Sequence, residues 1–215
     1  MNMSDLLDGA ESFQKNAFKK NKNRYLDLAK NGQHPKALFI GCSDSRVVPN
    51  LMMNANPGDL FVYRNIGNFV PPFDPKIEYH GTAAAIEYAV SHLKVSDIIV
   101  CGHSHCGAIK GVYEREKLDH ESMAHLRKWL ELGVRAKDIV EKMSLKQHFS
   151  MDEKLERTEQ ISVIFSMQNL LTYPRVAAKV MDGTLSINGW HYKIETGEIF
   201  SYSEDEMKFL PIHNN

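Results

Sequence analysis

The sequence predicts an α/β protein with a mainly parallel central sheet flanked by helices, an N-terminal helical arm and an antiparallel edge. Strand-like runs occur at 36–41, 59–65 and 96–103, and an alanine-rich helical pattern occupies 81–93 between the last two. From residue 182 onward, Asp-Gly and Thr-Gly pairs separate short strand-like runs, as in antiparallel hairpins. The βαβ order and the late hairpins together define the fold class.

Each element follows from a local pattern. The first thirty residues predict a helical arm that needs a partner surface, rather than a fully buried core helix, because the apolar residues are widely spaced among charges: Leu6, Phe13, Phe18, Tyr25 and Leu28. KALFIG, DLFVYRN and SDIIVCGH then predict the three strands, the last of them with a continuous apolar run. A helical pattern from about Glu121 to Leu171 precedes the hairpins.

Composition limits the classes of function. The chain has 215 residues with 43% hydrophobic content, which is enough for one sizeable core, so we expect a single domain over 1–215 with an arm at 1–34 and a core at 35–215. Lys and Arg total 26 against 27 Asp and Glu, and neither sign forms a long block, which argues against nucleic-acid or membrane partners. The N-terminal segment lacks a basic start followed by an apolar run, so we expect a cytoplasmic enzyme.

The three cysteines are the most informative residues chemically. Their odd number and wide spacing argue against structural disulfides. Cys42 and the segment 103–106 each follow a predicted strand, so both lie at carboxyl strand ends, where open α/β sheets bind ligands. Cys101 lies within an apolar strand and is predicted to be a core residue.

Cys42, His103 and Cys106 together supply the Cys₂His set that binds tetrahedral Zn²⁺ and leaves one position open for catalysis. The H-x-x-C spacing lets His103 and Cys106 reach one ion from a single turn, while Cys42 approaches from the neighbouring strand. Iron would require more thiolates. Each residue taken alone also fits a structural role, as a buried thiol or a capping histidine, and His105 remains an alternative ligand.

Two motifs carry a family resemblance. CSDSRV and GHSHCGAIKG resemble the beta-class carbonic anhydrases, and the similarity extends over most of the chain through PGDLFVYRNIGN, GTAAAIEYAVSHLKV and NGW. The resemblance implies zinc-dependent, reversible hydration of carbon dioxide to bicarbonate and a proton, in a homodimer or a dimer of dimers. It also implies that Cys42, His103 and Cys106 are the zinc ligands.

Asp44 and Arg46 are the catalytic pair that the resemblance implies. Hydration needs hydroxide at neutral pH, and zinc supplies it by lowering the pKa of bound water to about 7. Asp44 is suited to accept the proton of this zinc-bound hydroxide, but a free carboxylate would ligate the metal instead. Arg46 is expected to hold Asp44 away with two N–H donors. Without the neighbouring cysteine, the pair would be interpreted as a surface ion pair worth under about 1 kcal/mol.

The resemblance also implies which residues surround the substrate. The implied contacts are Gln33 and the backbone amide of Gly107 to the oxygen atoms, with Phe61, Ile66 and Tyr88 as an apolar pocket for carbon dioxide. His92, four residues after Tyr88 and so on the same helical face, is the implied proton shuttle. A purely structural role in the core, in a loop or on a helix surface stays open for the side chains in this set.

Two other functions stay open at this point. One is a related zinc hydrolase acting on another small heteroallene such as carbon disulfide. The other is a non-enzymatic zinc-binding interaction module, which would not need Asp44 and Arg46.

The family contains an open-site group and a group in which bicarbonate promotes ligation of the Asp to zinc. This chain resembles the regulated group at Arg64 and Tyr192, but it carries Phe39 where that group has Trp, and it carries Gln33, which that group lacks. Phe cannot donate the indole hydrogen bond to an anion. We therefore expect an open site without cooperative inhibition by bicarbonate.

Overall fold

The computed structural model describes residues 1–78 and 80–212. Within them the helices are α1 Met3–Lys15, α2 Ala17–Lys20, α3 Lys22–Asn31, α4 Pro49–Met52, α5 Gly81–Glu87, α6 Gly107–Tyr113, α7 Ala124–Trp129, α8 Val134–Gln147, α9 Met151–Leu170 and α10 Pro174–Met181. The strands are β1 Ala37–Cys42, β2 Leu60–Asn65, β3 Asp97–His103, β4 Ser186–Tyr192, β5 Ile199–Ser203 and β6 Lys208–Pro211. α5 continues into a π-helical stretch at Tyr88–Leu93.

The strands form one sheet in the order β2-β1-β3-β4-β5-β6. β1 is parallel to both β2 and β3, and β4 is parallel to β3. β5 and β6 are antiparallel to their neighbours and close the far edge. This arrangement confirms the predicted fold class, including the antiparallel edge. Because the chain leaves β1 toward β2 on one side and returns to β3 on the other, the carboxyl ends of β1 and β3 flank a topological switch point.

The core lies on both faces of the parallel strands because their side chains alternate between the faces. Leu38 and Ile40 of β1 belong to the larger cluster, which also contains Val163 and Met167 of α9. Phe39 points to the opposite face, in a cluster with Ile99 and Cys101. Cys101 is fully buried, as its place in an apolar run predicts, and all three cysteines are free thiols.

The longest helix, α9, begins at a capping box that the sequence encodes locally. The Ser150 side chain accepts a hydrogen bond from the Glu153 amide, and the Glu153 side chain accepts one from the Ser150 amide. The helix then packs across β3 and β4. This packing brings its polar residue Glu159 beneath the carboxyl ends of the strands, where it is 2% exposed.

The N-terminal arm, α1 to α3, extends from this core with no buried residue in any of its three helices. Leu6 is 52% exposed and Phe13 48%, and the rings of Phe13, Phe18 and Tyr25 pack on one another at the surface. The predicted helical arm is therefore present, and it is not a buried core helix. In residues 1–78 and 80–212 there is no helix that is long and apolar enough to span a bilayer.

Candidate metal centre

The predicted zinc ligands meet at the switch point of the sheet. Cys42 is the last residue of β1, His103 is the last residue of β3, and Cys106 is the N-cap of α6. Their metal-binding atoms all lie within 4.8 Å of one another, and all three residues are buried. The neighbouring parallel strands thus place two thiols and an imidazole around one point, as the H-x-x-C spacing predicts.

The donor set fits zinc. Nδ1 of His103 bonds the carbonyl of Ser104 at 2.8 Å, whereas its Nε2 is buried and has no hydrogen-bond partner. A buried nitrogen without a partner is costly, and a metal ion accepts its lone pair. Two thiolates and one imidazole match a tetrahedral zinc site that keeps a fourth position open. His105 does not join them, since its side chain is 68% exposed.

Backbone and buried side-chain contacts hold the thiols in place. The amide of Gly67 donates to Sγ of Cys42 at 3.4 Å, and the amide of Cys106 donates to Oε1 of Glu159 at 2.9 Å. Gly67 has a φ of 80°, and a Cβ there would lie 2.9 Å from the Cβ of Ala108. A residue with a side chain would therefore force this loop away from α6 and from Cys42.

The two thiols have opposite pKa shifts because they lie close enough to share a proton. Hydrogen bonding to Cys106 is the main cause that lowers the pKa of Cys42 to about 4, against burial and with help from His103. The same contact, followed by burial, raises the pKa of Cys106 well above its ordinary value. Burial is the largest single cause and lowers the pKa of His103, but the nearby Cys42 thiol, the Ser104 carbonyl and the Asp44 carboxylate together outweigh it, so the pKa is raised. Metal binding at this cluster therefore releases protons.

Asp44 and Arg46 form a two-pronged ion pair beside the cluster. Arg46 Nε donates to Oδ1 of Asp44 at 2.9 Å and Nη2 donates to Oδ2 at 2.7 Å. The hydrogen bonds from Arg46 are the main cause that holds the pKa of Asp44 well below its usual range. Oδ2 of Asp44 lies 4.0 Å from Nε2 of His103, so the carboxylate stands at the edge of the cluster and is ionised at neutral pH.

A second arginine fixes the backbone that carries this pair. Arg64 donates from Nε to the carbonyl of Cys42 at 2.9 Å and from Nη2 to the carbonyl of Asp44 at 2.7 Å. The Arg64 guanidinium therefore bridges the turn between the proposed ligand Cys42 and the carboxylate residue Asp44. Phe39, which the sequence places in the strand below, is fully buried.

A cavity of about 370 Å³ opens beside the cluster. Cys42, Asp44 and Gly107 lie along its polar part, and its apolar walls are Ile66, Ala108, Leu118, Leu126 and Leu130. A Cβ built on Gly107 meets nothing within 4 Å, so the start of α6 is open to the cavity. Two of the five implied substrate contacts, Ile66 and Gly107, are therefore next to the cluster. Apolar walls with few polar groups suit a small apolar molecule.

The remaining implied residues lie toward the other end of the sheet in the same chain. Phe61 pairs with Leu38, four positions before the pairing of Asn65 with Cys42, which corresponds to about 13 Å along the strand. Gln33 precedes the amino end of β1, and His92 precedes the amino end of β3. Tyr88 lies between Phe61 and His92, with ring centroids 5.7 Å and 4.7 Å apart respectively. One chain therefore does not bring these side chains to its own metal cluster.

Sequence reasoning missed several residues that shape the centre. Glu159 had a readable signal, because it shares a helix face with Val163 and Ser166, and an acidic residue on a buried face requires partners. The hydrogen bonds of Glu159 to the Cys106 amide and to His191 provide them. The cavity wall at Leu118 and Leu126 had no such signal, since their surroundings depend on how α6 and α7 pack.

A mainly parallel sheet with a buried Cys₂His cluster at its switch point defines the molecule as an α/β metalloprotein. The family model described as "Carbonic anhydrase" matches residues 37–199. A carbonic anhydrase of Synechocystis is 38% identical over 200 residues, covering 93% of this chain and 71% of the relative. A carbonic anhydrase of Pseudomonas aeruginosa is 39% identical over 210 residues, covering 98% of this chain and 92% of the relative.

Solved structures agree with these relatives. The beta-carbonic anhydrase CcaA superposes with a TM-score of 0.90 at 36% identity, covering 99% of this chain and 93% of its own. A tetrameric beta-carbonic anhydrase of Sordaria macrospora superposes with a TM-score of 0.78 at 32% identity, covering 91% and 94%. The chain belongs to the beta-class carbonic anhydrases. Its cofactor is zinc and its reaction is the reversible hydration of carbon dioxide, so the carbon disulfide and interaction-module alternatives are not favoured.

Proposed function

We propose that Cys42, His103 and Cys106 hold the zinc ion and that Asp44 and Arg46 carry out the hydration of carbon dioxide beside it. The observation that supports this most directly is the cluster itself, with three donor atoms within 4.8 Å and a paired carboxylate at its edge. When bound, zinc supplies Lewis acidity that makes hydroxide available at neutral pH.

Asp44 is the orienting acid in this proposal. Being ionised, it accepts hydrogen bonds and does not donate them, so an O–H group between it and the cavity turns its proton toward the carboxylate and its lone pair toward the substrate. Arg46 occupies both carboxylate oxygens and keeps Asp44 from acting as a metal ligand. Arg64 supports both residues through the carbonyls of Cys42 and Asp44.

Ile66 and Gly107 are the proposed substrate contacts within the chain. The apolar walls of the cavity accept carbon dioxide at little desolvation cost, because it is an apolar molecule, and the amide at the start of α6 supplies one donor for an oxygen atom. Bicarbonate, which is charged, gains less from these walls. The cavity therefore suits both the binding of the apolar reactant and the release of the charged product.

We further propose that a second copy of the chain supplies Gln33, Phe61, Tyr88 and His92 to this cavity, so that the active unit is at least a homodimer. Three observations support this. The four residues lie too far from the cluster of their own chain, Tyr88 is 43% exposed, and the arm has no buried residue. His92 stacks on Tyr88 and is proposed to carry the proton from the cavity to buffer. A dimer of dimers is the proposed full assembly.

Mixing two inactive variants tests this sharing of residues. Cys42→Ala removes a ligand and Tyr88→Ala removes a pocket residue, so each homodimer has two damaged sites. If the residues come from different chains, a mixed dimer has one site with both defects and one intact site. Equal mixing after subunit exchange should then restore activity to about a quarter of the wild-type value per chain. No recovery in a mixture shown to exchange subunits would contradict the proposal.

Three broader assignments belong to the same proposal. The chain is proposed to form one domain, with the arm at 1–34 and the zinc-binding core at 35–215. A cytoplasmic location is proposed because its cysteines are free thiols and two of them must stay reduced to bind metal. The site is proposed to stay open at neutral pH, with Asp44 paired to Arg46, because Phe39 offers no donor to an anion.

A further inference from the structure

Segment 104–105, between the two ligands of the H-x-x-C motif, is hydrogen-bonded to the end of β4 and to the turn that connects β4 and β5. The Ser104 amide donates to the carbonyl of Tyr192 at 2.9 Å, and the Ile194 amide donates to Oγ of Ser104 at 2.9 Å. The Ser104 hydroxyl in turn donates to Oε2 of Glu195 at 2.6 Å. Ser104 is 5% exposed, so these contacts satisfy a hydroxyl that water hardly reaches.

Two backbone carbonyls of segment 104–105 support the metal centre. The Ser104 carbonyl bonds Nδ1 of His103 at 2.8 Å, which leaves Nε2 facing the cluster. The His105 carbonyl accepts a hydrogen bond from Nη2 of Arg46 at 3.1 Å. His105 has a φ of 56°, a left-handed conformation that a non-glycine residue keeps only where its surroundings hold it.

We propose that Glu195 is a positioning residue for the metal centre, acting through the hydroxyl of Ser104. It fixes the segment 104–105, and that segment fixes the ring of the ligand His103 and the guanidinium of Arg46. Glu195 does not touch the ligands or the cavity. The contact between Oε2 of Glu195 and Nε2 of His105 is 3.7 Å, too long for a hydrogen bond, so Ser104 is the route.

Loss of the Glu195 carboxylate should loosen the metal centre without unfolding the sheet. Ser104 would keep its acceptor role toward Ile194, but its buried O–H would lose the carboxylate and would turn toward another acceptor. The carbonyls that hold His103 and Arg46 would then lose their fixed positions. Partners that orient metal ligands typically change metal affinity by about 10- to 100-fold. Glu195 is separated from the ligand His103 by one more hydrogen bond, the one to Ser104, so we expect an effect at the lower end of this range, about tenfold.

The test measures zinc release from the purified holoenzyme into a chromogenic chelator. Glu195→Ala and Ser104→Ala should each release zinc about tenfold faster than the wild type. The double variant should release it no faster than Ser104→Ala alone, because Ser104→Ala already removes the hydrogen bond to Glu195. Glu195→Gln should stay within about threefold of wild type, since its amide oxygen still accepts the Ser104 hydroxyl. Glu198→Ala, in the same exposed turn, is the charge-matched control and should release zinc at the wild-type rate.

A second readout separates positioning from general stability. In the cobalt-substituted protein, the ligand-field bands should shift in Glu195→Ala and stay unchanged in Glu198→Ala, while the melting temperatures of the two variants stay close. Three results would overturn the proposal. Glu195→Ala could release zinc within twofold of the wild-type rate, or the effects of Glu195→Ala and Ser104→Ala could add in the double variant. The third is an equal effect of Glu195→Ala and Glu198→Ala. The proposal rests on the proposed ligand role of His103, which fails separately if His103→Ala keeps stoichiometric, slowly released zinc.

Discussion

Replacing Arg46 by alanine isolates the function of the ion pair beside the metal cluster. The two hydrogen bonds from Arg46, at 2.9 and 2.7 Å, are what hold both oxygens of Asp44. Charge-assisted bonds contribute about 1.5–3 kcal/mol when sheltered, but the Arg46 side chain is 46% exposed, so we take about 1 kcal/mol for each. The two bonds together then favour the Arg46-bound position of the Asp44 carboxylate by about 2 kcal/mol. This corresponds to a roughly 30-fold change in the population of that position.

Arg46→Ala should therefore lower kcat/KM for carbon dioxide by about 30-fold or more while the zinc content stays stoichiometric. Asp44, once free, competes for the open metal position that the reaction needs. Stopped-flow hydration with a pH indicator and metal analysis of the same sample measure both quantities. Arg46→Lys should be intermediate because it keeps the charge without the two-donor fork.

Lys208→Ala is the control for this prediction, since it removes one cation from an exposed ion pair on the β5–β6 hairpin, with Nζ 2.5 Å from Oε2 of Glu206. It should leave the activity unchanged. Near-normal turnover of Arg46→Ala would refute the role of the pair in holding Asp44. A parallel loss of zinc and activity would refute it as well, because the arginine would then act on metal binding itself.

Three further predictions follow from the fold and the site. His92→Ala should lower kcat in weak buffer, with recovery on added imidazole and an almost unchanged kcat/KM; an equal fall of both would contradict a shuttle role. Rising bicarbonate should inhibit hyperbolically, because Phe39 offers no donor to an anion; a sigmoidal loss of activity would contradict an open site. Burial is the main cause that raises the pKa of Tyr173 from 10.0 to about 12, so its stabilising contribution is complete below pH 10 and lost as pH rises toward 12. Wild type should therefore lose stability in this window relative to Tyr173→Phe, and identical alkaline melting curves would refute this.

The sequence alone was sufficient to predict the metal cluster because its determinants are local. His103 and Cys106 lie in one turn, and Cys42 follows a short apolar run that indicates a strand. The carboxyl ends of neighbouring parallel strands share one edge of the sheet, which is why the three side chains were expected to lie close together. The pair of Asp44 with Arg46 spans two residues and was equally accessible to local reasoning.

Contacts between distant segments were not predictable in this way. Ser104 and Glu195 are 91 positions apart, and their bond depends on the register that pairs His103 with Tyr192. Nothing in the composition of the β4–β5 turn marks Glu195. The placement of Phe61 relative to the cluster likewise requires the pairing of β1 with β2, which fixes it about 13 Å from Cys42 along the strand.

The most direct test of the central claim compares the zinc content of two cysteine variants. Cys42→Ala and Cys101→Ala each remove one buried thiol, at 5% and 0% exposure, from neighbouring strands of the same sheet. If Cys42, His103 and Cys106 hold the catalytic zinc, Cys42→Ala should lose the metal and the hydration activity, whereas Cys101→Ala should keep a full zinc ion per chain and its turnover. Stoichiometric zinc and normal carbon dioxide hydration in Cys42→Ala would contradict the assignment.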